Sequence, residues 1–469
     1  MPMSQSIRPP NFVLINCDDL GYGDLACYGS PWNRTPALDR LAREGVRLTD
    51  FYMPSPVCSP SRGGMMTGCY PPRIGFDVFQ PVTTPLAPPA VNSWVLFPGS
   101  PGGLHPKEIT VARLLQDRGY ATCHIGKWHC GDQPEFLPTR HGFDSYFGLP
   151  YSNDMGIQPP HPDRPPLPLL ENEVPMELQP DQRSLTIRYV EHSVRFIRQN
   201  RQRPFFLYLA HMHTHLPHYP PEIFLRTSRN GPYGAAVECV DWSVAVIRHE
   251  LQTLGLAENT LVLFTSDNGS RGDRGGSNRP LRGIKGTTWE GGIRVPCIAW
   301  WPGHFPAGRE CGEVATAMDF LPTFARLAGA EPPKDRLIDG RDIFPLLSGE
   351  PGARSPHEAF FYYQADRLNA VRSGPWKLHV GCNGQAVREL YHLESDVGET
   401  RNVADAHPDV VARLEKLLVA CREDLGDSMT GAVGRNRRPA GHVESARPLV
   451  VQEADYPYIA AMYDSPDVG

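Results

Sequence analysis

Short, largely apolar runs recur through the first three quarters of the chain, at residues 12–16, 46–52, 121–125, 204–210 and 260–265, each bounded by polar residues or glycine. A strand exposed on one face would alternate, so apolar residues on consecutive positions predict central strands covered on both faces. Between these runs, residues 36–43, 110–118, 184–199 and 235–254 carry apolar side chains at helical spacing, and Thr35 before Pro36 is a good helix start. Strands and helices in alternation predict an α/β unit around a largely parallel sheet. Near residue 356 the texture changes. Residues 359–363, 368–372 and 376–380 read as neighbouring antiparallel strands followed by a helix over 408–425. This predicts a large domain over 1–355 and a smaller α+β domain over 356–469. Two proline-rich stretches, 80–106 and 158–180, fit neither period and are expected to be irregular walls of a cleft. The tail beyond Gly426 is expected to wrap the surface.

At 469 residues the chain is long enough for a sizeable core and more than one unit. Its formal net charge of -6, with both signs interspersed, gives no global field for nucleic acid or an anionic membrane. Any bound anion must then be held by a local site. No apolar run approaches membrane-spanning length, and the first eight residues show no leader pattern, so a cytoplasmic protein is expected. The 11 cysteines are odd in number and scattered, unlike a secreted disulfide framework.

In open α/β sheets, ligands collect beyond the carboxyl ends of the strands. Here the first strand runs into Asp18-Asp19, another into Lys127-Trp128-His129, another into His211-Met212-His213-Thr214-His215, and another into Asp267-Asn268. Asp18, Asp19, Asp267 and Asn268 offer hard oxygen ligands that suit Ca²⁺ or Mg²⁺, without choosing between them. Either pair by itself also reads as turn chemistry. Cys58 opens a predicted helix that has Pro60 in its first turn, where unsatisfied N–H groups favour negative charge and a reactive thiol. The alternating His211, His213 and His215 suggest acid/base groups more simply than a transition-metal site. The glycine-rich segment around Lys285 lacks the spacing of a phosphate-cradling loop.

Taken together these residues resemble a known family. Cys58-Ser59-Pro60-Ser61-Arg62, continuing to Thr67-Gly68, is similar to the C-x-P-S-R…T-G signature of type I sulfatases, which directs oxidation of that cysteine to formylglycine. Asp18-Asp19-Leu20-Gly21-Tyr22-Gly23-Asp24, Gly126-Lys127-Trp128-His129, Pro150-Tyr151-Ser152, Thr214-His215, Ser266-Asp267-Asn268-Gly269 and the run from Lys285 to Gly292 resemble further family blocks in the same order. Met65-Met66 stands where many members have paired leucines, a volume-conserving change. Gly63-Gly64 replaces small residues and is expected to loosen the helix.

The resemblance implies an alkaline-phosphatase-like fold: a large mixed β-sheet sandwiched by helices, then a smaller α+β domain with an antiparallel sheet. It also implies one Ca²⁺ held by Asp18, Asp19, Asp267 and Asn268 and meeting the formylglycine at position 58. The partners it implies are a small-molecule or saccharide sulfate ester and a formylglycine-generating maturation enzyme. In the implied reaction a formylglycine diol attacks sulfur while His215, sharing the role with Lys285, protonates the leaving oxygen. A covalent sulfoenzyme forms, and proton removal by His129 collapses it to aldehyde and sulfate. Calcium, Lys127 and Lys285 would cancel the charge on the sulfate, and Arg62, Lys127 and Ser152 would orient the diol. Three rivals remain on sequence: a phosphonate or phosphate ester hydrolase of the same superfamily, an unmatured sulfate-binding protein, and a metalloenzyme with a second divalent ion near His211 and His213.

Overall fold

The computed structural model of the chain describes residues 8–79, 93–450, 461 and 463–467. A ten-stranded mixed sheet forms its centre. Four adjacent strands carry the predicted runs: β1 (Asn11–Cys17), β2 (Ala121–Gly126), β3 (Phe205–Ala210) and β4 (Thr260–Ser266). They lie in the order β4-β1-β3-β2, all parallel, with Ser145–Gly148 continuing the parallel set beyond β2. Antiparallel strands flank this block, Cys297–Trp300 on one side and Pro168–Glu171 on the other.

Every residue of β1, β2, β3 and β4 is buried, because helices cover both faces of the sheet. Phe12 and Leu14 point into one layer with Met65, Leu115 and Phe324, where the Phe12 and Phe324 rings stack at 4.3 Å. Val13 and Ile15 point into the other layer with Leu41, Tyr189 and Ile247. Consecutive apolar residues thus serve two cores at once. Their helices, Pro36–Glu44, Gln182–Gln199 and Gly231–Thr253 on one side and Cys58–Thr67, Val111–Gln116 and Phe320–Leu327 on the other, include the four predicted periodic segments.

Two expectations change. The run at 46–52 is two strands: Val46–Leu48 joins the main sheet, whereas Phe51–Tyr52 pairs with Ala315–Thr316. The break falls at Thr49-Asp50, where Asp50 turns to meet Arg294 and Arg372. The stretch 158–180 is not wholly irregular, since Pro168–Glu171 and Val174–Leu178 form a hairpin at the sheet edge. Its prolines fit there because Pro168 begins a strand and Pro175 lies on the outermost one, where a missing N–H is tolerated. Within 80–106, residues 80–92 lie outside the described residues; Gly102–Gly103 pairs with Gly441–His442 of the tail.

C-terminally, four antiparallel strands in sequential order, Phe360–Gln364, Arg367–Ser373, Trp376–Cys382 and Gln385–His392, form a separate sheet. The helix Pro408–Leu425 packs on it through Val411, Leu414 and Leu418. Buried charge locks this sheet to the main one. Lys377, fully buried, reaches Glu290 and Glu399 at 2.9 Å each and the Thr288 carbonyl at 2.9 Å. Burial opposes the charge on Glu290, but Lys377, Arg294 and Arg372 hold its carboxyl well below the ordinary range. Substituting Lys377→Met should therefore cost about 3–5 kcal/mol by removing the cation that buried Glu290 and Glu399 share, with Glu290 left to Arg294 and Arg372 and Glu399 to His379. Urea unfolding measures this; a loss below about 1 kcal/mol would show that the pair is solvated rather than locked.

The tail folds back over the main unit, with Arg437 on Asp77 at 2.7 Å and Arg438 on Glu108 at 2.7 Å. All 11 cysteines are free, and all but Cys27 and Cys382 are buried. Among the described residues no helix is long and apolar enough to cross a membrane.

Candidate active site

Parallel pairing brings the four strand ends to one level: Cys17 lies opposite Ser266, Asn16 opposite Ala210, and Gly126 opposite Ala210. The residues that follow must then leave the sheet together. Asp18 and Asp19 follow β1, Lys127 and His129 follow β2, the His211–His215 segment follows β3, and Asp267 and Asn268 follow β4. Asp19 and His129 both take left-handed backbone conformations, with φ of 59° and 61°. Such conformations cost energy and concentrate at functional sites.

Cys58 is the first residue of the helix Cys58–Thr67, all of which is buried. Its Sγ lies 3.4 Å from Asp18 Oδ1. The glycines that were expected to loosen this helix instead let it fit: a Cβ on Gly63 would lie 2.6 Å from the Phe76 ring, and one on Gly64 2.6 Å from Pro54. Met65 and Met66 fill the core below. The helix that Cys58 opens is thus clamped by neighbours on several sides.

Three cations meet the carboxylates. Arg62 donates from Nε to Asp267 at 2.8 Å and from Nη1 to the Lys127 carbonyl at 2.7 Å, with Nη2 3.7 Å from Asp18. Lys127 Nζ donates to Asp18 and, at 3.2 Å, to the Ser152 hydroxyl. Lys285 Nζ donates to Asp19 at 2.9 Å. Ser152 Oγ is 3.4 Å from His215, whose Nε2 is 3.8 Å from Asp19. Asp19 and Asp267 are joined by a backbone N–H at 3.2 Å, and the Asn268 amide donates to Asp19 at 2.8 Å. The set predicted from sequence is therefore gathered in one buried place.

Electrostatics divide the carboxylates. Burial alone would raise Asp18, but Lys127, then His215, Arg62 and Lys285 hold it well below the ordinary carboxylate range. Burial and the charge of Asp18 push Asp267 up to about 7, against the pull of Arg62. Burial first, and then Asp18, raise the Cys58 thiol well above its usual range, so the reactive, depressed thiol expected from its place at a helix start does not hold. As a thiol, Cys58 is a poor nucleophile.

Two histidines have their tautomers set by carbonyl oxygens, which can only accept. His129 Nε2 is 2.9 Å from the Leu96 carbonyl and must carry the proton there, which leaves Nδ1 buried, unpartnered and able to accept one. His215 Nδ1 is 2.5 Å from the Leu216 carbonyl, which turns Nε2 toward Asp19. Burial and Lys127 keep His129 neutral, and burial and Lys285 lower His215.

The residues fit a hard divalent cation. Asp18, Asp19, Cys58 and His215 offer ligand atoms all within 4.8 Å of one another, the only such group among the described residues. Asn268 Oδ1 is buried without a partner, an acceptor that a cation would satisfy. Sequence had not placed His215 in this group and had placed Asp267, which lies outside it with its carboxylate on Arg62 and the Asp19 N–H. Among the described residues His211 and His213 join no group of ligands that could hold a second metal ion, and His211 Nε2 turns instead to Ser243 at 2.9 Å. Sequence reasoning also missed the Leu96 carbonyl, for which no side-chain signal exists, and Ser61, which donates to the Asp267 carbonyl from within the Cys58 motif.

A mixed α/β sheet that collects acidic ligands, buried lysines and a helix-opening cysteine at its carboxyl edge defines a hydrolase of the alkaline-phosphatase-like class, built to receive a tetrahedral anion. Residues 10–330 match the family described as Sulfatase, and residues 285–424 match the C-terminal part of N-sulphoglucosamine sulphohydrolase. Human arylsulfatase A is 41% identical over 461 residues, covering 87% of each chain. Rat N-acetylgalactosamine-6-sulfatase is 42% identical over 464 residues, covering 89% of this chain and 86% of its own. The PsFucS1 sulfatase from Pseudoalteromonas sp. superposes with a TM-score of 0.77 at 27% identity, over 91% of this chain and 92% of that one. The chain belongs to the sulfatase family, the sulfuric ester hydrolases.

Proposed function

We propose that the chain hydrolyses small-molecule or saccharide sulfate esters with Cys58, oxidised to formylglycine, as nucleophile and one calcium ion held by Asp18, Asp19, Asp267 and Asn268. The observation that carries this reading is the position of Cys58: it opens a helix, 3.4 Å from Asp18, inside the cage that also holds Lys127 and Lys285. Three buried carboxylates face three cations, Arg62, Lys127 and Lys285, so the side chains alone carry no excess of negative charge. A divalent cation would leave the site positive, as an anionic ester requires.

Bound calcium would act as a Lewis acid toward a sulfate oxygen and the nucleophile. Formylglycine at position 58, when hydrated, would supply a hydroxyl nucleophile and a second hydroxyl on the same carbon, chemistry that serine lacks. His129 Nδ1, buried, neutral and without a partner, would be the group that accepts a proton from the nucleophile. Lys127 and Ser152, linked to each other at 3.2 Å, orient the nucleophile. Arg62 works indirectly, holding Asp267 and the Lys127 backbone in place. His215 protonates the leaving oxygen from Nε2 once the incoming anion favours its charged form, with Lys285 beside Asp19 sharing the task. Cys58 is only 2% exposed, so a formylglycine-generating enzyme must act before the fold closes.

His215→Gln should cost about 10²-fold on an alkyl sulfate and much less on p-nitrophenyl sulfate, whose phenolate leaves without a proton. Equal losses on both would remove His215 from the acid role. The activity itself is tested by turnover of p-nitrophenyl sulfate against p-nitrophenyl phosphate and a phosphonate monoester. Sulfate should be preferred, and a preference for either phosphorus ester would overturn the reading.

A further inference from the structure

Beside Asp19 the surface dips into a small cleft lined by Thr214, His218, Tyr233, Arg271, Asp273 and Arg274. Asp19 and Leu216 line it as well, so the cleft adjoins the candidate site through the carboxylate that Lys285 also binds. Its wall is tied to the catalytic loop, since the Lys285 N–H donates to the Ser270 carbonyl at 2.9 Å and places Arg271 next in line. Arg274 is held at a φ of 52°, an uncommon conformation for a residue other than glycine.

An anion already lies there. Arg274 Nη2 binds Asp467 Oδ1 at 2.7 Å, with the arginine 58% and the aspartate 29% exposed. Asp467 also acts electrostatically on His218, as does Asp19. The segment that delivers Asp467 is anchored upstream: the Ala461 N–H donates to the Gln179 carbonyl at 2.8 Å, and buried Tyr463 donates its hydroxyl to the Pro180 carbonyl at 2.8 Å. The Asp464 and Ser465 N–H groups both donate to the Tyr219 hydroxyl. Beyond these anchors the pair of Arg274 and Asp467 is a solvent-exposed ion pair, which is weak and exchangeable.

We propose that Arg274 is a subsite for a second anionic group on the sulfate ester, and that Asp467 occupies it until such a substrate displaces it; Arg271, in the same cleft, is already paired with Asp273 at 3.3 Å. The substrate class is then a sulfate ester whose alcohol also carries a carboxylate or a further sulfate, as on an acidic saccharide. This rests on the reading that the ester is cleaved beside Asp19 and Lys285. Guanidinium suits the task because it binds carboxylate and sulfate alike by paired N–H donors.

The test uses the matured full chain and three probes: p-nitrophenyl sulfate, p-carboxyphenyl sulfate and p-phenylene disulfate. For each dianion the readout is its kcat/KM relative to that of p-nitrophenyl sulfate. Arg274→Gln should lower this ratio about fivefold, chiefly through KM, as for one exposed ion pair. Arg274→Lys should recover part of it, and Asp467→Asn should raise it by freeing the arginine. The dianion that responds more identifies the second group as carboxylate or sulfate. Ratios unmoved by both Arg274→Gln and Asp467→Asn would overturn the subsite. Failure of the parent enzyme to turn over p-nitrophenyl sulfate would instead refute the sulfate-ester reading beneath it.

Discussion

Cys58→Ala is expected to lower turnover of p-nitrophenyl sulfate by about 10⁴-fold or more while leaving the fold in place. The other polar side chains of the cage are engaged elsewhere: His129 and His215 are held by backbone carbonyls, Lys127 and Lys285 are paired with aspartates, and Ser152 accepts from Lys127. The stability cost should be small, about 1 kcal/mol, because the substitution removes one sulfur atom from a rigid pocket. Cys58→Ser should be nearly as inactive, since its single hydroxyl gives no second group to expel sulfate. Thermal unfolding and steady-state turnover measured on the same preparation separate the two effects. Retained turnover in a well-folded Cys58→Ala variant would refute the assignment of the nucleophile.

Removal of the divalent cation should have the next largest effect. Without it the incoming sulfate faces Asp18 and Asp19 with only balanced counter-charge, so chelation should lower turnover by about 10²-fold or more. It should also lower the melting temperature, because a ligand present at a hundred times its Kd stabilises the native state by about 2.7 kcal/mol. Added calcium should restore both. Full activity in a preparation shown by elemental analysis to be metal-free would refute the cation site.

Sequence revealed the candidate site where chemistry follows a strong local signal. Asp18, Lys127, His215 and Asp267 each come just after a buried apolar run, and one rule about strand ends sufficed to gather them. Distance between them was not legible, because it depends on which strands pair. Only the register of β1 with β4 and β3 puts Asp18 near Asp267 and His215. The depressed thiol expected at Cys58 failed for the same reason, since the burial that raises it and the carboxylate that adds to it, 40 positions away in sequence, both come from the tertiary fold. The strand Gln385–His392 escaped notice because it is half exposed and carries Arg388 and Glu389 among few apolar residues. The break at Thr49-Asp50 was hidden because Asp50 draws its partners from Arg294 and Arg372, far along the chain.

The account stands on the chemical form of one side chain. Mass spectrometry of the peptide bearing Cys58, taken from fractions of differing specific activity, tests it most directly. Activity should rise in proportion to the fraction of peptide in which the thiol has been exchanged for an aldehyde oxygen. A fully active fraction whose Cys58 is entirely thiol would contradict it.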